Sequence, residues 1–429
     1  MPPRRFKSLL RATFVCLSFV TLAYFLIGSS FEGQRSRTTH VPTTTTDRVS
    51  EKKASPRWLD SAPPFIEAIM NPEDRLFDRL ECPALEGTRY EHFRRSSNVV
   101  NITTRMPEYF FALDLTDCAH VLPRLIGSIV ETMRFLGPEN CALSIVEGRS
   151  VDGTYEILKL LQETLASIGV EYTFATNETD PMAKEGVRIE VLAGLRNQAL
   201  KPLLENPNSY APETTVIFLN DVALCMEDIL ELIHQRVYQQ ADMTCAMDWT
   251  FLGDNPTFYD VWIASGMHGD SFFFVPETGD WDLAWKLFWN HRASAERLEY
   301  GKPFQVFSCW NGAVAFAAKP LLEKHVRFRV SYEGECFQGE PKLFCKDLWY
   351  YGYGKIAVIP SVNVAYSDPM AKRIKELKGY VSRWGTTEDA SSKIDWKLKP
   401  PADVKCMRSY EDQPWLPWDE QLAEHGVAP

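Results

Sequence analysis

Four short runs place carboxylates, amides and one arginine where they could do chemistry. Thr214 to Cys225 reads TTVIFLNDVALC, an apolar run that stops at Asn220-Asp221 and resumes with VAL. A β-branched and aromatic run of this length reads as a buried strand, which has no room for an unpaired charge. Asp221 is therefore expected at the strand's C-terminal end. A carboxylate there could hold a hard divalent cation such as Mg2+ or Mn2+ through oxygen, with a nucleotide diphosphate supplying further ligands. The ion would stabilise charge on the departing diphosphate. The plainer alternative is an Asn-Asp turn feeding the next helix.

The second run, Glu147-Gly-Arg-Ser-Val-Asp152-Gly153-Thr154, follows one expected strand and opens a helix. A carboxylate at a strand end can accept hydrogen bonds from a ribose or a base, and Asp-Gly allows a tight turn that brings backbone amides toward a ligand. Asp152 as a simple helix cap explains the same residues. In the third run, Leu195-Arg196-Asn197-Gln198, the planar fork of Arg196 suits a diphosphate, unless it is an ordinary exposed helical arginine. The fourth set is Asp248-Trp249, Tyr259-Asp260-Val261-Trp262 and Trp310-Asn311-Gly312. Their carboxylates and amides could bind sugar hydroxyls and their aromatic faces could stack on sugar C–H surfaces, although twelve tryptophans also serve a core.

Strands alternating with helices must position these groups. YFFALDL, CALSIVEG, VEYTFAT and TTVIFLND are the expected strands. Between them, VLPRLIGSIVETMRFLG places Leu122, Leu125, Ile126, Ile129 and Met133 on one helical face; DGTYEILKLLQETLASIG aligns Ile157, Leu161, Leu165 and Ile168. RIEVLAGLRNQALKPLLE is expected as a third helix, and MEDILELIHQRVYQQ as a fourth with Ile229, Ile233 and Val237 on one side. Such alternation predicts an α/β fold with a Rossmann-like, mostly parallel sheet that binds ligands outside the strands' carboxyl ends. Beyond residue 242 the alternation fades into aromatic, Gly-punctuated segments, expected as an α+β half against the sheet's C-terminal edge.

The N-terminus carries Arg4, Arg5, Lys7 and Arg11, and residues 12–28 contain no charge. At about 1.5 Å per residue this stretch spans a thin bilayer, and the preceding basic residues favour a cytosolic N-terminus. The alternative is a cleaved signal peptide. The expected order is a cytosolic tail (1–11), a transmembrane signal anchor (12–28), a flexible stem (29–60) and an adaptor (61–106). A nucleotide-sugar-binding half (107–241), a sugar and acceptor half (242–369) and a C-terminal extension (370–429) follow. The sequons at Asn101 and Asn177 accept glycans only in a secretory lumen. Of the ten cysteines, Cys16 falls in the anchor, and the other nine permit disulfides in the lumen with at least one thiol left over, Cys336 and Cys345 being a candidate pair. A formal net charge of −11, without any basic stripe, argues against nucleic-acid binding.

The order of EGRSVDGTYEIL, LAGLRNQALKPL, VIFLNDVALCMEDILEL, CAMDW with FYDVW, CWNGAVAF and GECFQGEPKLFCKDL resembles the fungal α-1,3-mannosyltransferases of the cryptococcal capsule-associated type, glycosyltransferase family 69. The resemblance spans residues 107 to 369. It implies a type II Golgi or endoplasmic-reticulum membrane protein with a GT-A-like fold. Such a protein would move mannose from GDP-mannose to a mannose-containing glycan or polysaccharide with retention, using a divalent cation, Mn2+ foremost. By this resemblance Asp221 takes the metal, and Glu147, Asp152, Gly153, Arg196, Asn197 and Asn220 bind the donor. Trp249, Trp310 and Asn311 face the acceptor, and Asp248, Asp260 and Asp270 are the catalytic candidates. After FYDVW the family pattern continues with an Arg-Asp pair before a Gly, whereas this chain has Ile263-Ala264-Ser265-Gly266 and reaches Asp270 later. Transfer of another sugar, such as xylose or galactose, would fit that departure. So would a non-catalytic glycan-binding or polysaccharide-export factor with a degenerate transferase fold.

Overall fold

The computed structural model describes residues 55–85, 88–94, 106–183, 187–384 and 390–424. The expected membrane anchor and Asn101 lie outside these residues, and among the described residues no helix is long and apolar enough to cross a membrane. Helix α1 (Pro56–Ser61) occupies the end of the expected stem, followed by α2 (Pro63–Met70). This end of the stem folds because Trp58 packs on Gly153: a Cβ added there would lie 2.8 Å from the indole.

Four parallel strands form one side of the central sheet: β1 (Tyr109–Leu115), β2 (Cys141–Glu147), β3 (Glu171–Thr176) and β4 (Thr215–Leu219). All four fall where the sequence pattern puts them. The other side is built from β5 (Met243–Leu252), β7 (Ser265–Gly266), β8 (Phe304–Ser308), β9 (Ala313–Ala317) and β10 (Ile356–Val364). The order is β3-β2-β1-β4-β9-β5-β10-β8-β7, and the short β6 (Asn255–Phe258) pairs with β5. β9 lies antiparallel between β4 and β5, and β10 runs parallel to β5. The protein is thus a mixed α/β fold on a mostly parallel sheet. The second half continues the sheet sideways from β4 instead of stacking at its C-terminal edge, because β9 and β5 are buried on both faces and carry no alternation to betray them.

Helix α3 (Leu122–Leu136) buries Leu122, Leu125, Ile126, Ile129 and Met133 as expected, and α4 (Thr154–Ser167) buries Ile157, Leu161 and Leu165. The third expected helix is two: α5 (Arg188–Ala199) and α6 (Lys201–Glu205). Pro202 lacks the N–H needed to continue α5 and instead starts α6. Helix α7 (Met226–Tyr238) buries Ile229 and Ile233, but Val237 is 49% exposed because the last turn emerges from the core.

Three disulfides cross the fold: Cys82–Cys225, Cys245–Cys309 and Cys336–Cys406. The expected Cys336–Cys345 bridge is therefore wrong. Cys345 is a buried free thiol on α8 (Glu340–Tyr350), and Cys336 reaches the C-terminal hairpin β11 (Asp403–Lys405) and β12 (Trp415–Pro417). The buried pair Lys375–Asp228 (2.6 Å) ties α9 (Asp368–Lys378) to α7.

Candidate active site

The strand order reverses between β1 and β4, which run parallel: β2 and β3 lie on one side of β1, and β4 on the other. Ligands of open α/β sheets bind outside the carboxyl ends of the strands at such a switch point. Asp114 is the penultimate residue of β1, and Asn220-Asp221 directly follow β4. Asn220 is clamped on several sides. Its N–H donates to the Gly312 carbonyl (2.9 Å), and its Oδ1 accepts the Trp310 indole N–H (3.0 Å). The clamp leaves Asp221 half-buried at the rim. Burial pushes its carboxyl above the usual range, while a backbone N–H, His120 and Arg196 pull the other way. Asp114 is pushed up to about 6 by burial against the pull of Arg196, with Glu340 and Asp221 adding repulsion.

Arg196 is not an exposed helical arginine. It is buried, its Nε donates to Glu340 Oε1 (2.8 Å), and its Nη1 lies 3.9 Å from Asp114. The guanidinium sits 4.6 Å from the Trp310 ring, 5.4 Å from Phe218 and 5.8 Å from Phe328. Aromatic faces thus stabilise a cation whose buried Nη1 has no hydrogen-bond partner. A buried donor without an acceptor is costly, and an incoming anionic oxygen would satisfy it.

Asp248, near the middle of β5, and Asp260, just beyond β6, form a second acidic group. Asp248 is enclosed, and its Oδ2 accepts the Tyr366 O–H (2.9 Å). Asp260 is half-buried, and its Oδ2 accepts the Asn311 N–H (2.9 Å). Asn311 holds a left-handed φ of 53° and donates Nδ2 to the Ala246 carbonyl (2.8 Å), so it anchors the loop from within. Burial pushes Asp260 up to about 6, opposed by the Asn311 N–H and by Arg196, with Glu340 adding repulsion. Arg196 thereby couples electrically to both acidic groups.

The remaining sequence candidates are engaged elsewhere. Glu147 is buried and accepts the Ser150 N–H (2.9 Å). Asp152 caps α4 through the Thr154 N–H (3.0 Å) and hydroxyl (2.7 Å), and accepts the Ala119 N–H (2.8 Å). Gly153, at φ +98°, is covered by Trp58. Asn197 exchanges two hydrogen bonds with the backbone of Phe328. Trp249 is enclosed and donates to Asn363 (2.8 Å), so it serves the core. Asp270 pairs with Lys405 of the C-terminal hairpin (2.6 Å). Asn177 is half-buried at the end of β3, where its Nδ2 donates to Gln198 (2.8 Å).

Asp114, Glu340 and Tyr366 went unread in the sequence. Asp114 carries the same signal that exposed Asp221, an acid near the end of an apolar strand. Glu340 and Tyr366 have no such mark; only the fold brings them to the cluster.

Among the described residues, no group of three or more His, Cys, Asp or Glu stands close enough to hold a metal ion by itself. The donor set still fits a hard cation that takes one or two carboxylates and completes its shell with substrate phosphates. Burial raises the pKa of both Asp114 and Asp221, and at Asp114 the charges of Glu340 and Asp221 add repulsion, which a bound cation would relieve.

Residues 108–347 match the family described as Cryptococcal mannosyltransferase 1. The chain is 32% identical over 382 residues to alpha-1,3-mannosyltransferase CMT1 of Cryptococcus neoformans var. neoformans serotype D, covering 82% of this chain and 80% of that one. Among solved structures, the mannosyltransferase PcManGT from Pyrobaculum calidifontis, in complex with GDP-Man and Mn2+, aligns at 12% identity and a TM-score of 0.36 over 71% of this chain and 72% of that one. TarS 1-349 of S. aureus aligns at 13% identity and a TM-score of 0.36 over 66% and 68%.

Proposed function

Because the chain belongs to the cryptococcal mannosyltransferase family, we propose that it transfers mannose from GDP-mannose to a glycan or polysaccharide hydroxyl in a metal-dependent reaction. The linkage we assign is α-1,3 with retained configuration, formed in the Golgi or endoplasmic-reticulum lumen by a type II membrane protein. One observation carries the reading: Asp114, Arg196 and Asp221 meet at the topological switch point, beside Asp260. Arg196, held by Glu340 and seated on Trp310, would donate its unpartnered Nη1 to the diphosphate. Asp221 and Asp114 would hold a divalent cation, which when bound neutralises charge on the leaving diphosphate. Asn220, fixed by Trp310, keeps Asp221 at the rim. Asp260, which also feels the charge of Arg196, would face the acceptor hydroxyl.

A panel of sugar nucleotides, offered to the full chain with and without Mn2+, tests this reading. Transfer from GDP-mannose alone, abolished by chelation, is the expected result. Preference for another donor would reassign the sugar, and no transfer from any donor would leave the non-catalytic alternative standing.

A further inference from the structure

Asp248 and Asp260 are neighbouring carboxylates with unlike surroundings. Asp248 is enclosed, and its Oδ1 is buried with no hydrogen-bond partner. The strongest influences on it are burial, the charge of Asp260, the Tyr366 O–H and two backbone N–H groups, with no cation among them. A bare carboxylate oxygen in such a place is expensive, and two close carboxylates cannot both ionise. Asp260 is half-buried, accepts the Asn311 N–H and feels Arg196, with Glu340 as its repelling neighbour. The anion therefore belongs on Asp260.

Tyr366 decides where the retained proton sits. Its hydroxyl donates to Asp248 Oδ2, so the acid hydrogen must lie on the other oxygen, the orphaned Oδ1. The same hydroxyl is hydrogen-bonded by the Asn220 side chain. Since Asn220 Oδ1 is occupied by Trp310, its Nδ2 must be the donor to Tyr366. One chain of hydrogen bonds thus runs from Trp310 through Asn220 and Tyr366 to Asp248, joining the rim beside Asp221 to the acidic pair.

We propose that Asp248 works as a neutral carboxylic acid held in place by Tyr366, leaving Asp260 as the one carboxylate of the pair that takes the proton of the acceptor hydroxyl. Tyr366 is then a positioning residue of the reaction centre. The inference rests on the transferase function proposed above and assigns the protons within that site. In the step, the acceptor O–H bond breaks as its oxygen bonds to the anomeric carbon of mannose on the same face from which the phosphate leaves, so that the configuration is retained. The bond from that carbon to the phosphate oxygen breaks, and its electron pair leaves on GDP. The proton ends on Asp260, which is only part-buried and passes it on to water. A base that is ionised just below neutrality suits this task.

Infrared difference spectroscopy of the full chain at pH 8, without sugar nucleotide, tests the proton assignment. The expected spectrum holds a neutral carboxylic acid C=O band that Asp248→Asn removes and Asp260→Asn keeps. Tyr366→Phe should move the band to higher frequency, because the carbonyl oxygen loses its donor. The same variant should lower kcat about tenfold or more while KM for GDP-mannose stays within about threefold. A wild-type spectrum without the band, or a band that survives Asp248→Asn, overturns the assignment. If Tyr366→Phe changes neither the band nor kcat, its positioning role is overturned. The two readings fail separately: an inactive wild type contradicts the function, whereas a missing band contradicts the proton placement.

Discussion

At the scale of single residues, the site is an imbalance of charge held in place. Asp114, Asp221, Asp260 and Glu340 all feel the guanidinium of Arg196, and Glu340 repels both Asp114 and Asp260. Arg196→Lys keeps the charge but loses both the Nε bond to Glu340 and the planar face on Trp310. Steady-state kinetics should show KM for GDP-mannose rising about tenfold or more, and an unchanged KM would remove Arg196 from the donor site. Activity should also depend on pH. Asp260 must be ionised to accept a proton and is pushed up to about 6, so kcat should fall as pH drops through about 6. A rate that stays flat down to pH 5 would contradict this. Asp221, Arg196 and Asp260 were legible in the sequence because each is a polar residue interrupting an apolar or aromatic run. Glu340 and Tyr366 were not, because their roles come from contacts 144 and 118 residues away along the chain.

At the scale of elements, the strands and helices of the first half were legible because β1, β2 and β4 are short apolar runs and their helices bury regular faces. The second half was harder to read. Its decisive strand, β9, returns antiparallel between β4 and β5, and no local pattern announces where a strand inserts. The Glu147–Thr154 turn illustrates a different limit. Asp152 and Gly153 have the residue types of a ligand loop, yet one caps α4 and the other is covered by Trp58. Gly153→Ala sets a Cβ against that indole at a positive φ. Thermal or denaturant unfolding should show a loss of about 1–3 kcal/mol. KM for donor should stay unchanged in the same protein, and a raised KM without loss of stability would return Gly153 to the donor site. The disulfide Cys82–Cys225 joins the adaptor to the start of α7 across 143 residues of chain. Cys82→Ser should cost about 2–4 kcal/mol, read by denaturant titration. No measurable cost would mean that the adaptor is held by packing alone.

At the scale of the whole molecule, function and stability pull against each other through pH. Asp114 and Asp260 are raised to about 6 and Glu227 to about 7, each chiefly by burial. A carboxyl whose folded pKa exceeds its unfolded value favours the fold in its protonated form. That contribution is present at low pH and is lost as pH rises through the folded value. The thermal midpoint should therefore be higher near pH 5.5 than near pH 7.5, and Asp114→Asn should flatten the difference. A midpoint that rises with pH over that range would contradict the charge assignments.

The carboxylates at the switch between β1 and β4 are proposed to hold the nucleotide diphosphate through a divalent cation. Calorimetric titration of GDP-mannose into the full chain, with Mn2+ and with chelator, measures it most directly. Binding that requires Mn2+ and is lost in Asp221→Asn, with the thermal midpoint of the variant preserved, is the predicted result. Equal affinity with and without the metal, or undiminished binding by Asp221→Asn, would contradict the account.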